Sequence, residues 1–469
     1  MINAPSSAHY RRIALLVAAA NFMENLDGTV ITTALPQMAR TFGVAPVDVG
    51  VGITGYLLTL AIFIPVSGWI ADRFGTRNTF AAAIAVFTVA SLLCGMSTTL
   101  PTFTVSRVLQ GIGGAMMVPV GRLIVLRNTD RADLITAIAY ITWPALAAPV
   151  LGPPVGGFIA TYATWHWIFY LNLPLGIAAL VLVWLMVPQV SAAANKALDW
   201  PGFLLCGCAC ALMLYGFELV SRSDADVRFA LAVLAASAVL GALSVVQLLR
   251  SGDPLLDLSI LRIPTFAVTI WGGSLFRLAI GAAPFLLPLM FQVGFGMNAF
   301  EAGLLLLALF AGNVAMKPGT SYILYRFGFR ATMIATGLVN ALLLLACATF
   351  TRDMPIALVT IVLFGSGLAR SMQFTTINTL AFADVPQARM SHANTLSAMA
   401  QQLSMGMGVA VGAVAIRLGH AVADPLGLGS SPAVPFRVAF VIVSLIALAA
   451  VVDSTLLARD AGVALRNRK

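Results

Sequence analysis

Long apolar runs separated by short polar segments follow one another along the whole chain. Most runs reach the roughly 20 residues that a membrane-spanning helix needs. Their apolar residues are continuous rather than alternating, which is typical of helices and not of transmembrane β-strands. The pattern predicts an all-α polytopic membrane protein with fourteen spans, at 13–35, 50–71, 79–97, 101–126, 135–160, 167–187, 199–219, 228–249, 265–291, 301–323, 330–350, 354–376, 394–418 and 436–458.

The composition supports this fold class. Of the 469 residues, 60% are hydrophobic and 10% are charged, whereas about a quarter of the residues in soluble domains are charged. This excludes a soluble globular enzyme, a disordered chain and a disulfide-linked secreted domain. The net charge of +9 comes from scattered residues rather than basic runs, so no nucleic-acid partner is expected.

The Lys and Arg residues also predict the orientation of the spans. They concentrate in alternate loops, on the side that holds both termini, and few lie on the opposite side. Because cytoplasmic loops carry an excess of basic residues, both termini are expected in the cytoplasm. Residues 11–20 resemble a signal peptide, but the apolar pattern continues beyond them, so we expect this segment to be the first span.

Local features recur in the first six and the last six spans. Asp72-Arg73-Phe74-Gly75 follows the second span, and Arg326-Phe327-Gly328 follows the tenth. Arg107 and Arg370 both lie in the fourth span of their block. Repeated halves of this kind are common in secondary transporters, whose substrate sites lie between the halves. We therefore divide the chain into a six-helix bundle at 1–190, two inserted helices at 191–262 and a second six-helix bundle at 263–469.

Two acidic residues in the first span are the principal candidates for chemistry. Glu24 and Asp27 are three residues apart, so both carboxyl groups can face the same way on a helix. Ionisable groups inside a membrane are usually functional because their burial is costly. They can carry protons, or they can form a static ion pair with Arg107, and the spacing alone leaves both interpretations open.

Other candidates lie near the centres of later spans. Arg277 and Arg370 can either line a central cavity or hold helices together through backbone carbonyls. Met116, Met117 and Phe276 can line the same cavity, where such side chains adapt to varied ligands, or they can be ordinary helix packing.

The loop after the second span combines glycines with charges. Gly68 and Gly75 are expected to permit close backbone approach. Asp72 can accept hydrogen bonds from helix termini or pair with a basic residue, and so latch the cytoplasmic side. In the alternative interpretation, Arg73 and Arg77 only mark the cytoplasmic side.

The fifth span combines prolines and glycines. Proline removes a backbone donor and bends a helix, and glycine permits close helix packing. The expected hinge consists of Pro149, Gly152, Pro153, Pro154, Gly156 and Gly157. Packing alone would require the glycines but not the prolines.

These segments resemble the signatures of one family. The loop at 68–77, the fourth span from Arg107 to Gly113 and the fifth-span motif at 152–157 are similar to signatures of the major facilitator superfamily. The segment at 26–36 and Trp165–Pro174 resemble its fourteen-helix drug:proton antiporters of the EmrB/QacA type. One departure is Asn78, where the family usually has a second basic residue.

The resemblance implies a proton-coupled exporter of small amphipathic molecules or drugs that works by alternating access. It implies that Asp27 is the proton-carrying acid and that Arg107 takes part in proton transfer; Glu24 is added by its spacing. It also implies the cytoplasmic membrane of a bacterium, with lipid around the protein and function as a monomer. Two alternatives stay open: a carrier for one endogenous metabolite, and a membrane sensor that does not transport.

Motifs for other activities are absent from the sequence. It has no Walker-type loop for ATP, no GxSxG elbow and no HExxH metal motif. The five cysteines lie inside apolar runs, and no two histidines have metal-ligand spacing. We therefore expect no enzyme activity, no cofactor and no metal site.

Overall fold

The computed structural model describes residues 7–129, 134–189, 198–221, 226–252, 254–386, 389–423 and 431–458. Every regular element assigned within these ranges is helical. The α-helices are α1 Ser7–Val30, α2 Leu35–Phe42, α3 Gly50–Phe74, α4 Thr76–Met96, α5 Leu100–Arg127, α6 Leu134–Tyr162, α7 His166–Tyr170, α8 Asn172–Met186, α9 Trp200–Ser221, α10 Val227–Arg250, α11 Pro264–Leu289, α12 Ala299–Ala315, α13 Thr320–Phe327, α14 Phe329–Cys347, α15 Ile356–Ala381, α16 Met390–Ala423 and α17 Val434–Thr455.

Most of the predicted spans are confirmed as candidate membrane helices. Within the described residues, twelve helical stretches are long and apolar enough to cross a membrane. The first and fifth predicted spans correspond to α1 and α6, of 24 and 29 residues, which are not among the twelve. The chain is thus a multi-pass membrane protein, and the count of fourteen spans stays a prediction.

Two predicted spans are interrupted by a short 3-10 turn that lies close to a proline or contains one. The first span was expected to continue to residue 35, but α1 ends at Val30 and a 3-10 turn covers Ile31–Thr33. Pro36 is the second residue of α2 and has no N–H to continue the earlier helix. The tenth span divides at Lys317–Gly319, where a 3-10 turn around Pro318 separates α12 from α13.

The two halves of the chain repeat one packing arrangement. We call α1–α8 the first half and α11–α17 the second half. In the first half α1 packs on α6 and α5 packs on α3 and α4, while in the second half α11 packs on α16 and α15 packs on α12 and α14. The halves meet where α6 contacts α12 and where α3 contacts α16. In the repeat, α6 corresponds to α16 and α3 corresponds to α12. The two contacts are therefore equivalent to each other, and the interface has an approximate two-fold relation.

The helices α9 and α10 have no equivalent in this repeat. They pack on each other, and α9 also contacts α3 and α16. The buried residues of α10 form a narrow stripe of Ala230, Ser237, Ser244 and Leu248. The Ser237 hydroxyl donates to the carbonyl of Ala209 at 2.7 Å, which joins the two helices. This pair therefore lies beside the interface between the halves.

Candidate functional site

A buried hydrogen-bond network surrounds the carboxylate of Asp27 on α1. Arg107 Nη1 on α5 donates to Asp27 Oδ2 at 2.5 Å, and both side chains are completely buried. The other oxygen, Oδ1, accepts from Gln110 Nε2 at 3.0 Å and from Asn172 Nδ2 at 2.8 Å. Ser91 Oγ on α4 accepts from the same two amides at 2.7 and 3.3 Å. Helices α5 and α8 thus supply the donors that stabilise an ionised carboxylate away from water, and Ser91 of α4 accepts from the two amides.

The guanidinium of Arg107 is held on one edge and stacked on one face. Its Nη1 also donates to Gln110 Oε1 at 2.5 Å, while Nε and Nη2 have no hydrogen-bond partner among the described residues. Its Cζ lies 4.3 Å from the centroid of the Tyr56 ring, a cation–π arrangement. Arg107 therefore retains two donor nitrogens, Nε and Nη2, that can form new hydrogen bonds when the site rearranges or when Asp27 is protonated.

Glu24 lies beside this network but does not share its bonds. It is 8% exposed, and its Oε2 has no hydrogen-bond partner among the described residues. Its Oε1 would lie 3.5 Å from a Cβ placed on Gly114, and the hydroxyl of Tyr56 would lie 3.0 Å from the same point. The three-residue spacing therefore brings the two acids near one another, but with different surroundings.

Three network residues were not recognised from the sequence as partners of Asp27. Gln110, Asn172 and Ser91 appeared only as members of family motifs or of apolar runs. The available signal was that Gln110 and Asn172 are amides in apolar helices, where an unpaired polar group is costly. Which acid they would contact depends on how the helices pack.

At the loop after α3, the structure gives Gly75 a different requirement for glycine from the expected close approach, and it contradicts the expectation for Gly68. Gly75 has φ +85° and ψ 144°, a backbone conformation essentially restricted to glycine. The expectation for Gly68 is wrong, because it lies within α3 and a Cβ there would meet nothing within 4 Å. Asp72 and Arg73 lie near the end of α3, and the Arg77 Cζ lies 4.8 Å from the Trp184 ring centroid.

The equivalent loop of the second half has the same backbone. Gly328 separates α13 from α14 with φ +79° and ψ 167°. The two glycines therefore produce the same turn in both halves, which is why the sequence pattern repeats there.

The glycines of α6 permit close contact on two sides. A Cβ on Gly152 would overlap the side chain of Thr29 on α1, and one on Gly156 would overlap the carbonyl of Val30. A Cβ on Gly157 would overlap the carbonyl of Ala299 on α12. The helix continues from Leu134 to Tyr162 through Pro149, Pro153 and Pro154. This helix therefore connects the site-bearing α1 with the opposite half.

Arg277 and Arg370 have different environments. Arg277 is fully buried, and its terminal nitrogens donate to the carbonyl of Thr269 at 3.3 Å and to Asn378 Oδ1 at 2.9 Å. Arg370 Nη1 is shielded from solvent and has no hydrogen-bond partner among the described residues. Arg277 thus joins α11 to α15 through its terminal nitrogens, although its Nε has no partner among the described residues, whereas Arg370 has an unused terminal donor.

The three apolar cavity candidates are mostly packing residues. Phe276 is 1% exposed and Met117 is fully buried, and each belongs to a hydrophobic cluster of its own half. Met116 is partly buried against the cluster of the first half. Ordinary packing therefore describes Met117 and Phe276 better than cavity lining does.

Comparison with known proteins identifies the family. The family model described as Major Facilitator Superfamily matches residues 17–409. The chain belongs to this superfamily. It is also 38% identical over 400 residues to proteins named "Putative multidrug resistance protein MdtD" from Salmonella paratyphi A and Salmonella typhimurium, covering 84% of this chain and 84% of theirs.

Solved structures of low sequence identity share the fold. The POT family transporter PepTSo matches with a TM-score of 0.72 and 14% identity, over 95% of this chain and 97% of that chain. A bacterial homologue of the lysosomal transporter Spinster matches with a TM-score of 0.67 and 16% identity, over 98% of both chains. Membership of this superfamily makes the protein a transporter of small molecules rather than an enzyme.

Proposed function

We propose that the chain is a proton-coupled exporter of small amphipathic molecules, including drugs, and that Asp27 carries the proton. The observation that supports this most directly is the buried ion pair of Asp27 and Arg107. Its Oδ2 and Nη1 atoms are 2.5 Å apart, and both side chains are completely shielded from solvent. The name of the MdtD relatives supports drug export as the direction and substrate class. Proton coupling rests on the family and on this pair.

The chemistry of the pair links protonation to helix position. When Asp27 takes up a proton, the positive charge of Arg107 loses its counter-ion in a region where isolated charge is unfavourable. The network partners Gln110 and Asn172 then face a neutral acid instead of a carboxylate. Rearrangement of α1 against α5 and α8 relieves this mismatch, so proton binding favours a second conformation.

The contacts between the halves indicate where the second conformation must open. Gln292 Nε2 donates to the carbonyl of Thr33 at 3.0 Å, and Phe300 N–H donates to Thr161 Oγ1 at 3.1 Å. All four residues lie near the helix ends distant from the N-terminus, the side we assign to the exterior. Alternating access requires these bonds to break while the cytoplasmic ends approach.

Asp72 is our candidate for the cytoplasmic latch. It lines a groove together with Trp69 of α3, and the same groove is lined by Asp257, Arg389 and His392. Arg389 lies just before α16 and His392 in its first turn, so basic residues of the second half line the same groove as Asp72, together with Asp199 and Asp257. We propose that Asp72 and these basic residues hold the cytoplasmic ends together during part of the cycle.

We further propose that α1 and α6 cross the membrane, which completes fourteen spans with both termini in the cytoplasm of a bacterial cell. The two bundles and the inserted helices then follow the division at 1–190, 191–262 and 263–469. The protein works as a monomer in the lipid of the cytoplasmic membrane. A reporter fused after residue 223 or 424 should be external, and one at the C-terminus cytoplasmic.

The decisive experiment measures substrate flux and internal pH together in proteoliposomes with an imposed pH gradient. Asp27→Asn should abolish uphill export and substrate-dependent proton movement, because the amide keeps the shape but cannot carry the proton. Downhill exchange should survive in part. Asp353→Asn is the matched control, since it removes an acid from an exposed loop residue and should change neither rate.

Other outcomes separate the alternatives. Proton movement that survives Asp27→Asn unchanged would transfer the role to another group, with Glu24 the next candidate. An absence of flux for the unmodified protein at any gradient, across a broad substrate panel, would support a membrane sensor. Flux of a single metabolite only would support a dedicated carrier.

A further inference from the structure

The membrane-embedded part of the second half carries positive charge without acidic partners. The helices α11 to α17 themselves contain two acidic residues, Glu301 and Asp453. Outside these helices, in the segments that connect them, lie Asp353, Asp384 and Asp424. Glu301 forms the capping box at the start of α12, and Asp453 accepts the backbone N–H of Gly272 at 3.0 Å. Both acids therefore have hydrogen bonds with the backbone at or near helix ends and do not balance a cation near the centre of α15.

Among the described residues, Arg277, Lys317 and Arg370 are buried or half-buried cations of this half with no acidic partner, and Arg277 and Lys317 donate to neutral oxygens of Thr269, Asn378 and Thr375. Arg370 is the one of the three for which no hydrogen bond is observed. It lies 14 residues after the first residue of α15 and 11 before the last, so it is about 21 Å and about 17 Å from the two ends. This places the guanidinium near the middle of the membrane, beyond the reach of lipid headgroups. Its Nη1 has no hydrogen-bond partner among the described residues. Because an unpaired charge there is costly, a ligand anion would be strongly favoured.

The face of α15 that carries Arg370 points to the protein interior. Ile361 is 67% exposed, so its face of the helix is the outer one. Arg370 is nine residues later, which is two and a half turns, so it lies on the opposite face. Arg370 and Phe374, which is one turn later, are nevertheless partly exposed. Their exposure therefore faces the space between the helices rather than lipid.

Neighbouring residues fix the position of the guanidinium. The Arg370 Cζ lies 5.7 Å from the centroid of the Phe310 ring on α12. Next to this contact, α12 and α15 approach so closely that a Cβ on either Gly312 or Gly367 would overlap the backbone of the other helix. The aromatic ring and the rigid helix crossing hold the fork of donors in place, as recognition of a carboxylate requires.

We propose that Arg370 binds the carboxylate of amphipathic anions, with the apolar part of the molecule against Phe310 and Phe374. This inference rests on the proposed transport function and names a substrate class for it. Arg277 does not share the role, because its terminal nitrogens already bond to Thr269 and Asn378. The proton site in the first half and the anion site in the second half are then on opposite sides of the interface.

The test uses the full chain in nanodiscs of phosphatidylcholine, which contain no anionic lipid. Dissociation constants are measured for 4-butylbenzoate, 4-butylbenzamide and 4-butylbenzylammonium, which differ mainly in the charge of the head group. We expect the benzoate to bind at least about tenfold more tightly than the other two, as is typical of a hydrogen-bonded charge pair. Equal binding of benzoate and benzamide by the unmodified protein would overturn the proposal without any variant.

The variants then locate the site. Arg370→Gln should remove the preference for benzoate, and Arg370→Lys should retain part of it because the charge remains. Arg326→Gln is the matched control, since it removes an exposed Arg from the same half, and it should retain the full preference. Retention of the preference in a folded Arg370→Gln protein would exclude this site. If proton-coupled export of cations is observed but the benzoate does not bind, the transport function stands and the anion site is excluded. If the benzoate binds at Arg370 but no substrate is transported, the anion site stands and the transport function is excluded.

Discussion

At the scale of single residues, the site depends on a charge pair that is fully bonded on the acidic side and only partly bonded on the basic side. Both oxygens of Asp27 accept hydrogen bonds, while Nε and Nη2 of Arg107 have no acceptor among the described residues. A symmetrical, fully bonded pair would resist change because breaking either half leaves a buried charge. The unused donors of Arg107 give the guanidinium an alternative set of bonds, so the pair is suited to switching.

The first prediction concerns Gln110. Gln110→Ala removes bonds to Asp27, Ser91 and Arg107 but leaves both charges in place. The remaining polar groups lose partners, which typically costs about 1–3 kcal/mol. We expect lower thermal stability in detergent and transport reduced by about tenfold. Ser67→Ala is the control: Ser67 is also buried in the first half, but its hydroxyl donates only to Ile64 of its own helix. Equal effects of the two variants would argue against a special role for the network.

The second prediction separates the two glycines of the loop after α3. Gly75→Ala forces a side chain into a conformation that costs about 1–3 kcal/mol, so we expect lower thermal stability and lower transport. Gly68→Ala should be neutral or slightly stabilising, because the position is helical and open and alanine favours a helix by up to about 1 kcal/mol. Thermal unfolding of the two purified variants measures the difference in stability. A destabilised Gly68→Ala protein would contradict the expectation that this position is open.

At the scale of elements, α6 is the helix through which the site-bearing helix meets the second half. It packs on α1 through Gly152 and Gly156 and on α12 through Gly157 and Gly303. A helix held on both sides by backbone contacts transmits small displacements, because nothing compressible lies between the packed surfaces. In the proposed mechanism, movement of α1 after protonation of Asp27 therefore displaces α6, and with it the contact with α12.

The third prediction tests this packing. Gly156→Ala places a methyl group against the carbonyl of Val30 and within 2.7 Å of Thr33 Oγ1. Overpacking of this kind costs about 1–3 kcal/mol, so we expect reduced thermal stability and strongly reduced transport. Gly28→Ala, in α1, meets nothing within 4 Å and should leave both nearly unchanged. Normal transport by Gly156→Ala would mean that α1 and α6 separate freely during the cycle.

The charge at Asp72 is tested at the same scale. Asp72→Asn keeps the size of the side chain and removes the charge that would hold the cytoplasmic ends. We predict a strong loss of transport with near-normal abundance in the membrane. Asp226→Asn is a comparable change at the exposed start of α10 and should retain transport. If Asp72→Asn transports as well as the parent, Asp72 is only a loop residue.

At the scale of the whole molecule, the two halves are joined at the ends that we assign to the exterior and call the outer side. A continuous hydrophobic cluster includes Val30 and Ile31 of the first half and Phe285, Leu286 and Phe291 of the second. Apolar burial of this extent keeps the outer side closed, and the bond from Gln292 to Thr33 adds a directional contact. Opening of this side exposes the cluster, so other interactions must compensate for the lost apolar burial.

The fifth prediction weakens that closure. Gln292→Ala removes the bond to Thr33 without changing the cluster, so we expect a larger outward-open population. Arg40 and Val293 are both exposed and line one groove at the outer side. Spin labels at these two positions should show an additional, longer distance between them in double electron–electron resonance. The control Gln247→Ala removes a bond to Asp199 beside the inserted helices and should leave the distances unchanged. An unaltered distribution in Gln292→Ala would mean that the apolar cluster alone sets the closure.

The sequence by itself determined the membrane class, the positions of most spans and the family. Predicted span 228–249 and helix Val227–Arg250 differ by one residue at each end, because the length of an apolar run is a local property that the membrane thickness selects. The sequence also identified Asp27 and Arg107, since a charge in an apolar run is conspicuous without knowledge of its neighbours.

Only the tertiary structure decided which groups meet. The partners of Asp27 come from α5 and α8, and Ser91 of α4 binds their amides. No local pattern specifies which faces of these helices converge on α1. Helix packing likewise distinguished Arg277, bonded to Asn378, from Arg370, whose Nη1 is unpaired. Both arginines look alike in the sequence as single charges within apolar runs. Their different bonding follows from contacts between residues far apart in the chain, which only the folded arrangement brings together.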